Sequence, residues 1–195
     1  MKIKIKRQSA PDAPAYYVSR EYFGAENISV ADLLSTLNAE AFANNRIAWD
    51  CACLEGRCGA CAMRINGRPS LACKSLLHDA VRDGQITIEP LTRFPVKKDL
   101  TVDRGAMLNS GSSMKQKPGE DGMAFAAAQC LMCGCCLEIC PAYSPGGTFP
   151  GPAGILRKYL EGTLAHEDTA PCLHCGACTR ICPQGIDLGK YTALH

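Results

Sequence analysis

Four cysteines in the first half of the chain have a spacing that suits a metal cluster. In the run CLEGRCGAC, four residues separate Cys53 from Cys58 and two separate Cys58 from Cys61, and Cys73 follows as a distant fourth. This is the plant-type spacing of 2Fe-2S ligands. The sequence therefore predicts one 2Fe-2S cluster held by these four thiolates.

Two glycines in the same run fit this chemistry. A loop around a cluster must turn backbone N–H groups toward negatively charged sulfur, and Gly56 and Gly59 allow that close approach. A structural zinc site is the alternative. Zinc ligands usually come as two short Cys or His pairs, whereas this loop holds only one such pair, so the spacing favours the cluster.

Two further runs, CLMCGCCLEICP and CLHCGACTRICP, both fit the pattern CxxCxxCxxxCP. In bacterial ferredoxins the fourth cysteine of each such run binds the other run's cluster. Pro141 and Pro183 end the two loops by fixing φ and removing a backbone donor. The crossed pattern predicts two 4Fe-4S clusters, one held by Cys130, Cys133, Cys136 and Cys182 and the other by Cys172, Cys175, Cys178 and Cys140.

Twelve ligands leave two of the 14 cysteines over, Cys51 and Cys135. We predict Cys135 to be a small buried residue near a cluster, without a redox role of its own. Cys51 lies two residues before Cys53 and is an alternative ligand, although the spacing favours Cys53. His166 and His174 lie close to the last run, but the thiolates already suffice, so neither is assigned a metal or proton role.

The residues before the first run predict a strand, a hairpin and a helix. Residues 2 to 7 alternate polar and apolar with the period of a half-buried strand, and residues 15 to 18 are the expected hairpin partner. Ser29 and Asp32 form a capping box at the start of a helix. The apolar face of that helix is expected to comprise Val30, Leu33, Leu34 and Leu37.

Two more strands are expected after the run, each next to a turn. Residues 62 to 65 lead into Asn66-Gly67, and residues 85 to 89 follow Asp83-Gly84. Strands combined with a helix indicate a small α+β unit ending near residue 100.

The second half is expected to be helical and built around its cysteines. Residues 123 to 129 have a helical composition, and a second helix at 153 to 160 is expected to have Pro152 at its first position and to end at Gly162. Residues 103 to 122 are rich in Gly, Ser, Lys and Pro, which indicates a linker or an ordinary surface loop. We therefore predict a 2Fe-2S domain at 1–102, a linker at 103–122 and a 4Fe-4S domain at 123–195.

Bulk composition excludes several classes of protein. A net charge of +2 gives no electrostatic reason to expect nucleic acid as a partner. No stretch approaches the roughly 18 apolar residues of a membrane span, and the opening MKIKIKRQ lacks the apolar core of a signal peptide. We predict a cytoplasmic location, or one at the cytoplasmic face of a membrane, and so expect metal ligands rather than disulfides.

Taken together, the motifs resemble the iron-sulfur subunit of succinate dehydrogenases and fumarate reductases. The resemblance covers most of the chain. It rests on CLEGRCGACAMRINGRPSLAC, the following ITIEPLTRFPVKKDL, the cysteine doublet in CLMCGCCLEICP, and the GPAG stretch between the last two runs. Any one of these motifs is shared with many ferredoxins, whereas the combination is specific to the family.

The resemblance implies an α+β chain in which a β-grasp, plant-type 2Fe-2S ferredoxin domain precedes an all-α, bacterial-type two-cluster ferredoxin domain. It also implies a partner, a flavoprotein with covalently bound FAD that interconverts succinate and fumarate. On this pattern the cluster of Cys53 is nearest the flavin, that of Cys130 lies in the middle, and that of Cys172 is farthest away. No nucleotide-binding loop or catalytic triad is evident, so we expect the substrate site on another chain.

Three departures from the family bear on the distal partner. Typical members have no cysteine where Cys175 stands and hold a 3Fe-4S cluster, whereas this chain supplies a fourth thiolate. Quinone-reactive members have Trp shortly after the first CP and His after the first cysteine of the last run, where this chain has residues 142 to 145 and Leu173. The sequence also stops at His195, without the tail that helps to dock a membrane anchor.

These departures predict a protein rather than a quinone as distal donor or acceptor, such as a heterodisulfide-reductase-like subunit or another iron-sulfur carrier. Peripheral association with a membrane fits this prediction. A free-standing multi-cluster carrier and the wiring subunit of a different flavin-dependent oxidoreductase are the alternative functions. A free carrier is usually strongly acidic, so the near-neutral charge favours a fixed subunit.

Overall fold

The structure is a computed structural model that describes residues 1–108 and 122–194. The chain divides into two compact units, Met1–Asp103 and Arg104–His195. Of the linker predicted at 103–122, residues 109–121 lie outside the described residues. Within the described part of the chain, no helix combines the length and the apolar character needed to cross a membrane.

A five-stranded mixed sheet forms the frame of the first unit. β1 pairs parallel with β5, and the remaining neighbours pair antiparallel in the order β2-β1-β5-β3-β4. The strands are β1 (Lys2–Arg7), β2 (Tyr16–Glu21), β3 (Ala62–Ile65), β4 (Arg68–Leu71) and β5 (Gln85–Glu89). This β-grasp arrangement confirms the predicted fold of the first domain.

Local sequence explains most of these strands. In β1, Ile3 and Ile5 are buried while the intervening lysines face outward, as the alternation predicts. The turn residues Asn66 and Gly67 have φ of 49° and 76°, the left-handed values that an Asn-Gly hairpin requires. Strand β4 was not predicted, because it contains Pro69. It is an edge strand, where a missing backbone N–H is tolerated.

Helix α1 (Val30–Glu40) confirms the predicted capping box. The Ser29 hydroxyl accepts the Asp32 N–H at 3.1 Å, and the Asp32 carboxylate accepts the Ser29 N–H at 3.0 Å. Its predicted apolar face is buried in the core of the unit. A short helix, α2 (Leu77–Ala80), follows the first cysteine run.

A small hairpin closes the first unit and carries a buried carboxylate. Its strands are β6 (Val96–Lys98) and β7 (Thr101–Val102). Between them, Asp99 has a φ of 48° and is 2% exposed. Its carboxylate accepts the backbone N–H of Gln8 at 3.0 Å and that of Ala48 at 2.9 Å, and its Oδ1 lies 2.9 Å from Arg7 Nε. Asp99 thus fixes the end of β1 to the segment that leads into the cysteine loop.

The second unit is helical in its described residues, as predicted. Helix α6 lies at its core, with Ile155 and Leu156 buried. The helices are α3 (Gly105–Leu108), α4 (Met123–Ala128), α5 (Cys135–Ile139), α6 (Gly151–Glu161), α7 (His166–Thr169), α8 (Ala177–Ile181) and α9 (Gly189–Thr192).

Helix α6 ends as expected and begins one residue earlier than expected. Gly162 caps its C-terminus with a φ of 68°, whereas Gly151 rather than Pro152 is its first residue. Gly151 has a φ of 71°, and a Cβ there would lie 2.4 Å from a Leu137 methyl group. The first glycine of the GPAG stretch therefore lets α6 approach α5, the short helix within the run CLMCGCCLEICP.

We predict that Asp99→Asn lowers the free energy of unfolding by about 3 kcal/mol, because it leaves the largely buried Arg7 without its anionic partner. Asparagine tolerates a positive φ, so the backbone should be unaffected. Chemical denaturation of the cluster-loaded protein measures the effect. Asp103→Asn, in the exposed pair with Lys97, is the matched control and should change stability by less than about 1 kcal/mol. Equal losses in the two variants would contradict the prediction.

Candidate metal centres

The first cysteine loop turns several backbone N–H groups toward sulfur. Cys53 Sγ accepts the N–H of Glu55 at 3.4 Å and that of Arg57 at 3.3 Å. Cys58 Sγ accepts the Ala60 N–H at 3.5 Å. These contacts stabilise the charged thiolate, which is the form that binds iron.

The backbone of this loop adopts the left-handed conformation at three points. The φ values are 55° at Leu54, 75° at Gly56 and 73° at Gly59. At Gly56 a Cβ would lie 2.4 Å from the Lys74 Cδ, so the lysine stem lies directly over the loop. Both glycines of the run thus adopt a conformation that favours glycine, and the contact with Lys74 is an additional finding.

The four predicted ligands of the first loop are gathered into one group, but they differ in acidity. Cys61 Sγ lies 3.3 Å from Cys73 Sγ, and Cys53 and Cys58 are linked by a side-chain hydrogen bond. Burial raises the pKa of Cys61 to about 12; the Cys73 backbone N–H opposes this shift, while the Cys73 thiol adds to it. The N–H groups of Glu55 and Arg57 lower the pKa of Cys53 to about 7. Cys53 is thus prepared as a thiolate, whereas Cys61 requires the positive charge of iron to lose its proton.

Cys51, the alternative ligand, is exposed. The hydrogen bonds from the loop backbone and from Cys58 go to Cys53. This arrangement supports Cys53 as the ligand.

In the second unit, one pocket is lined by four cysteines from both runs. Leu131, Leu156 and Ile186 supply part of its otherwise largely apolar lining. Its cysteines are Cys130, Cys133, Cys136 and Cys182. Cys130, Cys133 and Cys136 come from the run CLMCGCCLEICP, and Cys182 comes from the run CLHCGACTRICP. This is the predicted crossed set.

Burial and mutual repulsion dominate the acidity of these thiols. Burial, with a smaller contribution from the nearby charges of Cys133 and Cys182, raises the pKa of Cys130 to about 11, although the Met132 N–H opposes this shift. Burial also raises the pKa of Cys136, which feels the same neighbours. Such a group of thiols binds protons strongly when empty and must release them when it takes up a cationic iron core.

A separate pocket holds the complementary set. Its cysteines are Cys140, Cys172, Cys175 and Cys178. Burial raises the pKa of Cys178, and the charges of Cys140 and Cys172 add to this effect. Cys140, the last cysteine of the run CLMCGCCLEICP, therefore lies among the cysteines of the run CLHCGACTRICP. Phe149 and Pro152 line the same pocket, while Cys175 is exposed at the surface.

The two runs repeat one backbone geometry. Met132 and His174 occupy the same position in their runs, and each has a φ of 49°. Gly134 and Gly176 likewise have φ of 85° and 68°, and each directly precedes a short helix, α5 or α8. The His174 N–H donates to Cys172 Sγ at 3.4 Å, and that of Met132 bonds to Cys130. In both runs the left-handed turn thus directs a backbone N–H group at the sulfur of the first cysteine.

The arrangement of the sulfurs fits clusters. In each pocket of the second unit, four cysteines drawn from both runs belong to the lining. Among residues 1–108 and 122–194, no three Cys, His, Asp or Glu side chains are gathered as the ligands of one metal ion.

Cys135 is fully buried, as predicted, and hydrogen-bonds to Cys133. The side chains of His166 and His174 line neither cysteine pocket; His174 contributes its backbone N–H instead. Sequence reasoning missed Arg104 and Arg180. Their guanidinium groups contact the cysteine loops through backbone carbonyls, and no sequence motif marks them.

Comparison with known protein families matches both units. Residues 2–109 match the family described as a 2Fe-2S iron-sulfur cluster binding domain. Residues 126–186 match the 4Fe-4S dicluster domain family.

Several relatives share this combination. The succinate dehydrogenase iron-sulfur subunit of Bacillus subtilis is 32% identical over 170 residues, covering 76% of this chain and 66% of that protein. The fumarate reductase iron-sulfur subunit of Wolinella succinogenes is 36% identical over 127 residues, covering 56% of this chain and 53% of that protein. The matches thus span between about half and two thirds of the relatives' length.

A solved structure, the Mycobacterium smegmatis Sdh1 complex in the apo form, contains a chain with the same fold. The TM-score is 0.78 at 22% identity, and the match covers 97% of this chain and 90% of that chain. It confirms the architecture of a β-grasp-like domain followed by a helical domain.

We predict that Gly56→Ala removes most of the 2Fe-2S absorption and EPR signal while leaving the second unit's iron in place. The added Cβ meets the Lys74 stem, and the positive φ costs an L-residue about 1 kcal/mol. Gly84→Ala is the matched control, since its φ of +70° is similar but nothing lies within 4 Å of the added Cβ. Equal loss of the signal in both variants would show that crowding by Lys74 is unimportant.

Proposed function

Because this chain belongs to the iron-sulfur subunits of the succinate dehydrogenase and fumarate reductase family, we propose that it relays single electrons between a FAD-containing subunit and a second redox partner. The observation that carries this proposal is the sorting of twelve cysteines into three groups of four. No single group accounts for a relay, whereas three together provide successive sites for one electron. The reaction of the complex is proposed to be the interconversion of succinate and fumarate on the flavoprotein.

In the proposed ligand assignment, the first unit holds a 2Fe-2S cluster and the second unit holds two 4Fe-4S clusters with crossed ligands. The first set is Cys53, Cys58, Cys61 and Cys73; the second is Cys130, Cys133, Cys136 and Cys182; the third is Cys140, Cys172, Cys175 and Cys178. When bound, each cluster supplies a one-electron site. The chain's own contribution is to hold the thiolates, direct N–H groups at them and exclude water from most of each pocket.

The third set supports a protein partner at the far end of the relay. Cys175 supplies a fourth thiolate and is exposed, and Leu173, two residues earlier in the chain, is 66% exposed. A cluster with an exposed ligand can exchange electrons with a protein docked on that surface, without a deep organic-molecule site. We therefore propose a protein donor or acceptor, such as a heterodisulfide-reductase-like subunit or another iron-sulfur carrier. A cytoplasmic location stays a prediction.

We predict about ten irons per chain and no 3Fe-4S signal in anaerobically purified protein, since the proposed clusters contain two, four and four irons. Cys175→Ala should lower the content to about nine and create a 3Fe-4S EPR signal, because the exposed corner loses its thiolate. Cys51→Ala is the matched control and should retain the full content. About nine irons and a 3Fe-4S signal in the unaltered chain would refute the assignment of Cys175. A colourless zinc-containing protein would refute the relay itself.

We predict that affinity purification of the native complex under mild conditions recovers a FAD-containing protein together with a redox protein that carries cysteine-ligated centres. Mass spectrometry and flavin fluorescence identify the two partners. A tightly associated dihaem membrane anchor would contradict the proposed distal partner. Recovery of the chain alone, in an active state that reduces several unrelated proteins, would indicate a free carrier instead.

A further inference from the structure

Two arginines contact equivalent points of the two cysteine runs of the second unit. Arg104 Nη1 donates to the Cys133 carbonyl at 3.3 Å, and Arg180 Nη1 donates to the Cys175 carbonyl at 3.1 Å. Cys133 and Cys175 are each the second cysteine of a run and a proposed cluster ligand. Each cluster loop therefore carries one guanidinium group at the same point.

The two arginines come from different parts of the chain. Arg180 lies in α8, five residues after the cysteine that it contacts. Arg104 lies 29 residues before Cys133, just ahead of α3. Since no local sequence pattern requires Arg104 to reach this carbonyl, the fold itself brings its charge to the loop.

Solvent access distinguishes the two. Arg104 is half-buried, and the Cys133 residue that it contacts is 8% exposed. Arg180 is exposed, and so is Cys175. The interaction between a charge and a cluster weakens as the effective dielectric rises, so water screens Arg180 far more than it screens Arg104.

The position of Arg104 gives the direction of this effect. Its Nη1 lies 3.3 Å from the Cys133 carbonyl oxygen, and Cys133 is a proposed ligand of the cluster. The guanidinium group therefore places a half-buried positive charge beside one corner of the pocket. A cation at that distance favours negative charge on the cluster.

Reduction adds one negative charge to a cluster, and the same cation favours that added charge. Building on the proposed crossed ligation, we propose that Arg104 raises the reduction potential of the cluster held by Cys130, Cys133, Cys136 and Cys182, and that Arg180 has a much smaller effect on the other cluster. Arg104 is therefore a residue that sets how readily the middle site of the relay accepts an electron.

The test is a redox titration of the anaerobic protein followed by EPR. Arg104→Gln should lower the reduction equilibrium constant of one 4Fe-4S signal by about tenfold, which is about 59 mV for one electron. The other 4Fe-4S signal and the 2Fe-2S signal should stay unchanged. Arg180→Gln is the matched control and should shift either 4Fe-4S signal by less than about threefold.

Arg104→Lys separates charge from structural support. It keeps the cation but loses the planar group that donates to the Cys133 carbonyl. The proposal expects this variant to stay within about threefold of the unaltered protein. A tenfold shift in Arg104→Lys would overturn the charge mechanism, and so would an unshifted Arg104→Gln. If Arg104→Gln fails to fold, Arg104→Met supplies the uncharged variant: the same tenfold decrease is expected, and an unshifted potential would overturn the proposal.

Failure of this inference can be told apart from failure of the proposed function. If the cluster assignment is wrong, the unaltered protein will lack two 4Fe-4S signals or the expected iron. If only the inference is wrong, all signals and the iron content will be intact and the Arg104→Gln potential will match that of the unaltered protein.

Discussion

The constraint on which the structure depends is the placement of several thiolates in surroundings that are largely apolar. The negative charge of a thiolate in apolar surroundings is unfavourable unless polar groups compensate it. Backbone N–H groups do so here, as in the hydrogen bond from the His174 N–H to the Cys172 sulfur. Aiming those groups requires left-handed residues, which explains the shared φ of Met132 and His174. The short helices α5 and α8 begin directly after such turns.

Sequence predicted the features that depend on neighbouring residues. The capping box at Ser29, the Asn66-Gly67 turn and the cysteine spacings each depend on a few consecutive positions, and the structure has them where expected. Edge strand β4 was missed because Pro69 argues against a strand in the middle of a sheet, and only the strand order shows that this strand lies at an edge. The five-residue helices α5 and α8 are too short to show helical periodicity.

Features that depend on the tertiary fold could not be predicted in the same way. Lys74 over Gly56 and Arg104 at Cys133 join residues that no motif connects. The cysteine spacing defined the crossed sets, yet it gave no indication that one set would be largely buried and that the other would have a ligand at the surface. The burial of these cysteines depends on the packing around α6, whose Ala153 and Leu156 line the pocket of Cys130 and Cys182.

The exposed position of Cys175 affects how well the protein resists oxidation in air. In the proposed ligand assignment, an iron atom bound there would be within reach of dissolved dioxygen and of chelating molecules, whereas the other three cysteines of that pocket are half-buried. Damage should therefore begin at this corner. A partner protein that covers Cys175 would protect the cluster from oxidation as well as exchange electrons with it. The isolated chain should therefore lose its visible absorbance in air sooner than the assembled complex.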